Sequence, residues 1–81
     1  MAPEIRIRQA TKSDVMAVRR LAALDDAASL KGSILVAELA GELRAAISVD
    51  NGRVVANPFA PTAELVDMLR MHRGYVGAVA A

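Results

Sequence analysis

The tetrapeptide Asp50-Asn51-Gly52-Arg53 constrains the fold more than any other stretch of the chain. Asn and Gly both tolerate the positive φ that a type I′ hairpin turn requires. Leu43, Ala45, Ile47 and Val49 precede the pair at a period of two, and Val54 and Val55 follow it. With Asn51 and Gly52 as the two loop residues, Asp50 faces Arg53 and Val49 faces Val54, and the earlier strand is half buried. The chain therefore contains consecutive antiparallel strands, and the other segments are read around that hairpin.

Upstream, Ile5 and Ile7 alternate with Glu4, Arg6 and Arg8, the pattern of a strand with one wet face. Thr11 is placed to accept from the amide of Asp14 as a helix N-cap, and Asp14 lies near the positive end of the dipole. Val15, Val18, Leu21 and Ala22 then recur at helical spacing, which predicts a first helix from about residue 12 to about residue 25. Residues 25–33 read as a loop containing Gly32. Ile34 to Ala37 form an uninterrupted apolar run, expected of a central strand covered on both faces, and Gly41 turns the chain into strand three. Strand four, Arg53 to Ala56, stops before Pro58, which cannot donate to a ladder. Pro61 fits the first helical position, or Thr62 caps, and Leu65, Val66, Met68 and Leu69 give the second helix its apolar side. Arg70, His72 and Arg73 then suit a last turn, with Gly74 as the left-handed residue that ends it.

The expected architecture is α+β with the order β-α-β-β-β-α: a four-stranded antiparallel sheet in the order 1-2-3-4 with two helices. Helix one covers one face, helix two the other face or the edge, and strand four is an open edge. Residues 1–74 form a single domain and 75–81 a short flexible apolar tail.

A chain of 81 residues buries only about 60–65% of the surface its unfolded form exposes. It has no cysteine to supply a disulfide or a thiolate metal site, and the expected compartment is the cytoplasm. Although 54% of residues are hydrophobic, Phe59 and Tyr75 are the only aromatics, so the core is aliphatic and thin. Self-association compensates for such a core. Eight arginines against two lysines, with abundant alanine, match the codon bias of a GC-rich bacterial genome. The net charge of +1 supplies no long-range field for a polyanion. Arg6, Arg8, Lys12, Arg19 and Arg20 are expected to form a solvated face, and a nucleic-acid partner is not expected. The opening Met1 to Arg8 lacks the apolar region of a signal peptide, and no run approaches the ~20 apolar residues of a membrane span.

The strand ending in Arg8-Gln9-Ala10-Thr11, the helix entered through Ala10 to Asp14, and the paired segments Val36 to Val49 resemble the N-terminal half of the GNAT acetyltransferase superfamily, over roughly residues 5 to 56. That family carries an Arg/Gln-x-x-Gly-x-Gly/Ala loop after its fourth strand, whose amides hold the acetyl-CoA pyrophosphate at a helix N-terminus. Here the corresponding stretch, Asn57 to Leu65, contains Pro58, Phe59 and Pro61 and no glycine, and Glu64 in the first turn repels phosphate. The eight residues after the second helix are too few for the family's C-terminal half, so a single chain is not expected to form the acyl-CoA cleft.

Among chemistry-bearing residues, His72 reads as a helix cap, Asp25 and Asp26 as solvated charges, and Glu38 and Glu42 as exposed hairpin charge around Gly41. Ser29, Ser33 and Ser48 lack a histidine partner for a triad, and Tyr75 falls in the tail. No catalytic, cofactor-binding or metal-ligating residue is expected. The predicted function is a non-catalytic GNAT-like interaction or regulatory module, a homodimer or bound to a protein partner. The expected interface is Val54, Val55, Phe59, Leu65, Met68 and Leu69. The alternative is an acyl-CoA binding protein or N-acetyltransferase, using acetyl-CoA in a cleft completed by a second subunit.

Overall fold

In a computed structural model, which describes residues 4–80 and side chains as far as Tyr75, Ile5–Gln9 forms β1 and a 3₁₀ turn at Lys12–Asp14 leads into α1, Val15–Leu24. There follow β2 (Ile34–Leu39), β3 (Glu42–Ser48), β4 (Val54–Ala56) and α2 (Ala63–Ala80). The strands form one open sheet in the order β1-β2-β3-β4, each neighbour antiparallel. The expected class and strand order are therefore those observed.

The helices lie on opposite faces. Val18, Leu21 and Ala22 of α1 pack on Val36, Ala46 and Val55. Leu65 and Leu69 of α2 pack on Leu35, Ala37, Ala45 and Ile47. The apolar run of β2 follows from this layering, because Leu35, Val36 and Ala37 alternate between the two layers and all three are buried. Each large core side chain stabilises the fold by roughly 1.5–3 kcal/mol through burial.

The two hairpins exchange the roles that the sequence suggests. The tight turn is Ala40-Gly41, where both loop residues have positive φ, +53° and +83°, between the paired residues Leu39 and Glu42. The second hairpin pairs Ile47 with Val54, and the Ser48 amide donates to the Arg53 carbonyl at 2.8 Å. Its loop is thus the four residues 49–52, not Asn51-Gly52 alone, and only Gly52 has positive φ, +77°. The Asn51 side chain acts differently, with its Oδ1 accepting from the Arg53 amide at 2.9 Å. Val49 does not face Val54 because its main chain is engaged elsewhere. Its amide donates to the Ser33 carbonyl at 2.9 Å, and its carbonyl accepts from Arg73 Nε at 2.9 Å. The slip of two residues preserves the faces.

Strand three also departs from simple alternation. Ala37 pairs with Ala45 but Glu38 pairs with Leu43, so Arg44 is the extra residue of a β-bulge. The bulge sends Leu43 to the α1 layer while Ala45 and Ile47 stay in the α2 layer. From Ala45 to Ser48 the strand is buried on both faces, not half buried.

The second helix does not end at Gly74. It continues to Ala80, and the backbone of the segment expected as a tail is helical that far. A glycine inside a helix costs only about 1 kcal/mol relative to alanine, and Gly74 is not among the residues with positive φ. The basic residues expected as caps have other partners, since Arg73 holds the β3–β4 loop and His72 Nδ1 lies 3.0 Å from the Met68 carbonyl.

Candidate functional site

Between β4 and α2 the chain folds a closed turn. The Asn57 amide donates to the Arg44 carbonyl at 2.9 Å, which holds the chain on the sheet just beyond β4. Asn57 Oδ1 accepts from the Phe59 amide at 2.9 Å, and the Asn57 carbonyl accepts from the Ala60 amide at 3.3 Å. Pro58 and Pro61 have no amide hydrogen. Every amide from Asn57 to Ala60 is therefore satisfied within the protein. The Thr62 carbonyl accepts the first helical bond, from Val66 at 2.9 Å, so Thr62 is the N-cap and Pro61 stands one residue outside. Glu64 lies in the first turn of α2, where its carboxylate already matches the positive helix end.

The six expected interface residues separate into three groups. Val55, Leu65 and Leu69 are core residues, while Val54 and Met68 are half-buried. Phe59 is 84% exposed at the crest of the β4–α2 turn.

The edge of β4 is guarded. Asp25, at the C-terminal end of α1, accepts from the Ala56 amide through Oδ2 at 3.2 Å. Arg53 Nη2 donates to the Ala28 carbonyl at 2.9 Å. The Asp25–Ala28 segment is thereby tied to both ends of the strand expected to be open. Asp25 is not a purely solvated charge, and Asp26 turns the chain with a positive φ of +49°.

A charge cluster that the sequence reading missed lies at the start of α1. Arg8 Nη1 and Nη2 donate to Asp14 Oδ2 and Oδ1 at 2.7 and 2.9 Å. Arg8 Nε and Nη2 donate to Glu38 Oε1 at 2.9 and 2.6 Å. The Thr11 amide and hydroxyl donate to Asp14 Oδ2 at 2.7 and 3.0 Å, the return half of a capping box in which Thr11 is the expected N-cap. Arg8 and Thr11 hold the Asp14 carboxyl well below the usual carboxylate range, against the opposing effect of burial. Asp14, then Glu38, push the Arg8 guanidinium above its ordinary value.

Arg8 is thus no part of a solvated face, and Glu38 and Glu42 have separate partners, Arg8 and Arg44, each at 2.6 Å. The signal was parity. Arg8 pairs with Val36 in register, which places it on the α1 side, where a guanidinium fills the layer beside the helix. The cluster is structural, since its acid is held ionised and its donors are engaged.

Ser48 is buried and its Oγ lies 3.4 Å from the Asn51 amide. Among the described residues no group of three or more His, Asp and Glu is placed to hold a metal, and no helix is long and apolar enough to cross a membrane. Comparison of the chain with protein-family models, with curated proteins and with solved structures finds no match.

Proposed function

We propose that the chain is a non-catalytic, GNAT-like interaction or regulatory module that works as a homodimer. The observation that carries this reading is the β4–α2 connection. A pyrophosphate cradle needs free amides and close backbone approach. In this chain the Phe59 and Ala60 amides are bound to Asn57, and two prolines supply none. The layering of α1 and α2 on opposite faces of a four-stranded meander supports the half-GNAT likeness.

The self-associating surface we assign is the outer stripe of α2. Met68, Met71 and Tyr75 follow one another at spacings of three and four residues, which puts them on one side of the helix. Met71 and Tyr75 are 63% and 68% exposed. Methionine adapts to an opposing surface, and tyrosine offers an apolar body with a polar tip. This location replaces the β4 edge, which Asp25 and Arg53 occupy.

Calorimetric titration with acetyl-CoA tests the first part. No heat at millimolar ligand is expected. Saturable heat overturns the reading in favour of an acyl-CoA binder or N-acetyltransferase completed by a second subunit. Size-exclusion with light scattering tests the second, and a monomer mass at high concentration rejects the homodimer.

A further inference from the structure

On the α1 side of the sheet, an open pocket of about 380 Å³ lies between the start of α1 and the Ser29–Gly32 segment. Its floor is aliphatic. Val18 and Leu30 are core residues, Ile34 is half-buried, and Val15 is 45% exposed. Three cationic residues, Lys12, Arg19 and Lys31, also line it. Lys12 lies in the 3₁₀ turn before α1 and Arg19 in the second turn of α1, and Lys31 belongs to the Ser29–Gly32 wall.

The charge balance of the site is one-sided. Among the described residues none of these three cations makes an ion pair, and no carboxylate lines the pocket. Of the neighbouring acids, Asp14 is held by Arg8 and Thr11, while the Asp50 carboxylate lies against Gly32 on the rim, so three cations face one acid there. An apolar floor under a net excess of positive charge is complementary to a molecule with an apolar body and one anionic end.

We propose that this pocket binds a medium-length linear aliphatic carboxylate, its chain on Val15, Val18, Leu30 and Ile34 and its carboxylate among Lys12, Arg19 and Lys31. The body is aliphatic because the floor is, with no aromatic side chain among the lining residues. The site stands on the α1 face and is independent of the α2 surface assigned to self-association.

The proposal predicts a dependence on chain length as well as on charge. Each methylene that leaves water strengthens binding roughly fourfold until the pocket is filled. The test is an amide-shift titration of the full chain by NMR with butanoate, hexanoate and octanoate, set against 1-hexanol and inorganic phosphate. Affinity is expected to climb along the acid series, with shifts centred on Thr11 to Arg19 and Ser29 to Ile34. Arg19→Glu and Lys31→Glu, both at exposed positions, are expected to weaken hexanoate at least about fivefold without lowering the melting temperature. Hexanol binding as tightly as hexanoate would reduce the site to an apolar dimple. Phosphate shifting the same amides as strongly would make it a bare cationic patch. Either result overturns the proposal, as does a flat acid series, an unchanged affinity in both variants, or a shift map centred on another face.

Discussion

Arg8 and Asp14 meet end to end through two parallel hydrogen bonds, Nη1 to Oδ2 at 2.7 Å and Nη2 to Oδ1 at 2.9 Å. The pair joins β1 to the turn that starts α1, and Glu38 on β2 extends it. Asp14→Ala removes the acceptor of both Arg8 and the Thr11 amide. A loss of about 2–3 kcal/mol is expected, read from the urea midpoint at neutral pH. A change under about 0.5 kcal/mol, the range of ordinary surface substitutions, would show that the cluster is not a fastening of the fold.

The same carboxyl sets an acid limb. Its folded pKa lies below its ordinary value of 3.8, so its contribution is complete above that value and is lost as pH falls from there toward the folded pKa. Arg8 shifts upward from its ordinary value, so its contribution is complete below that value and is lost only at pH beyond it. Thermal melts should therefore be insensitive to this pair between about pH 5 and 9 and fall below pH 4. Asp14→Asn should flatten the acid limb. An equally steep limb in the variant would assign acid lability to another group.

Ala40 sits at a φ of +53° in the two-residue turn, a region that costs a residue with a Cβ roughly 1–2 kcal/mol. Its amide donates to the Glu4 carbonyl at 3.0 Å, so the position cannot relax freely. Ala40→Asn keeps the amide and tolerates the angle. It should stabilise the protein by about 0.5–1 kcal/mol, measured as a raised urea midpoint at unchanged slope.

Asp25→Ala frees the Ala56 amide at the β4 edge. Hydrogen exchange at Ala56 should accelerate about tenfold, the equivalent of roughly 1.4 kcal/mol, and self-association should rise with concentration, as exposed edges promote. Unchanged exchange would mean that water or another group protects this amide.

Met71 is 63% exposed on α2. Met71→Lys should lower the light-scattering mass toward that of one chain and leave the melting temperature of the monomer within about 2 °C, because no core contact is lost. Retention of the dimer mass would place the interface elsewhere.

Much of the architecture was legible because its signals are local. The alternation that sets Ile5 and Ile7 apart, the unbroken run Ile34 to Ala37 and the helical spacing of Val18, Leu21 and Ala22 each report which side meets the core, and those assignments hold, whereas the face read as wet carries the half-buried, paired Arg8. Of the functional surfaces less was legible. Val55, Leu65 and Leu69 are apolar at helix or strand spacing whether they meet a partner or the chain's own sheet. Pairing of Arg8 with Asp14 and Glu38 needed the register of β1 on β2. The pocket below Lys12, Arg19 and Lys31 needed the fold of the Ser29–Gly32 segment against α1.

By itself the sequence determined most of the alternation, the strand order, and that the β4–α2 connection contains two prolines and no glycine. These follow from periods of two and 3.6 and from residues whose backbone limits are intrinsic. Only the tertiary structure decided which hairpin is tight and where a strand bulges, and it carried α2 past Gly74. The deciding bonds reach across the chain, from Ala40 to Glu4 and from Val49 to Ser33 and Arg73. A turn of two residues and one of four leave every side chain on the same face. Alternation alone therefore could not separate them, and the competition for the main chain of Val49 did.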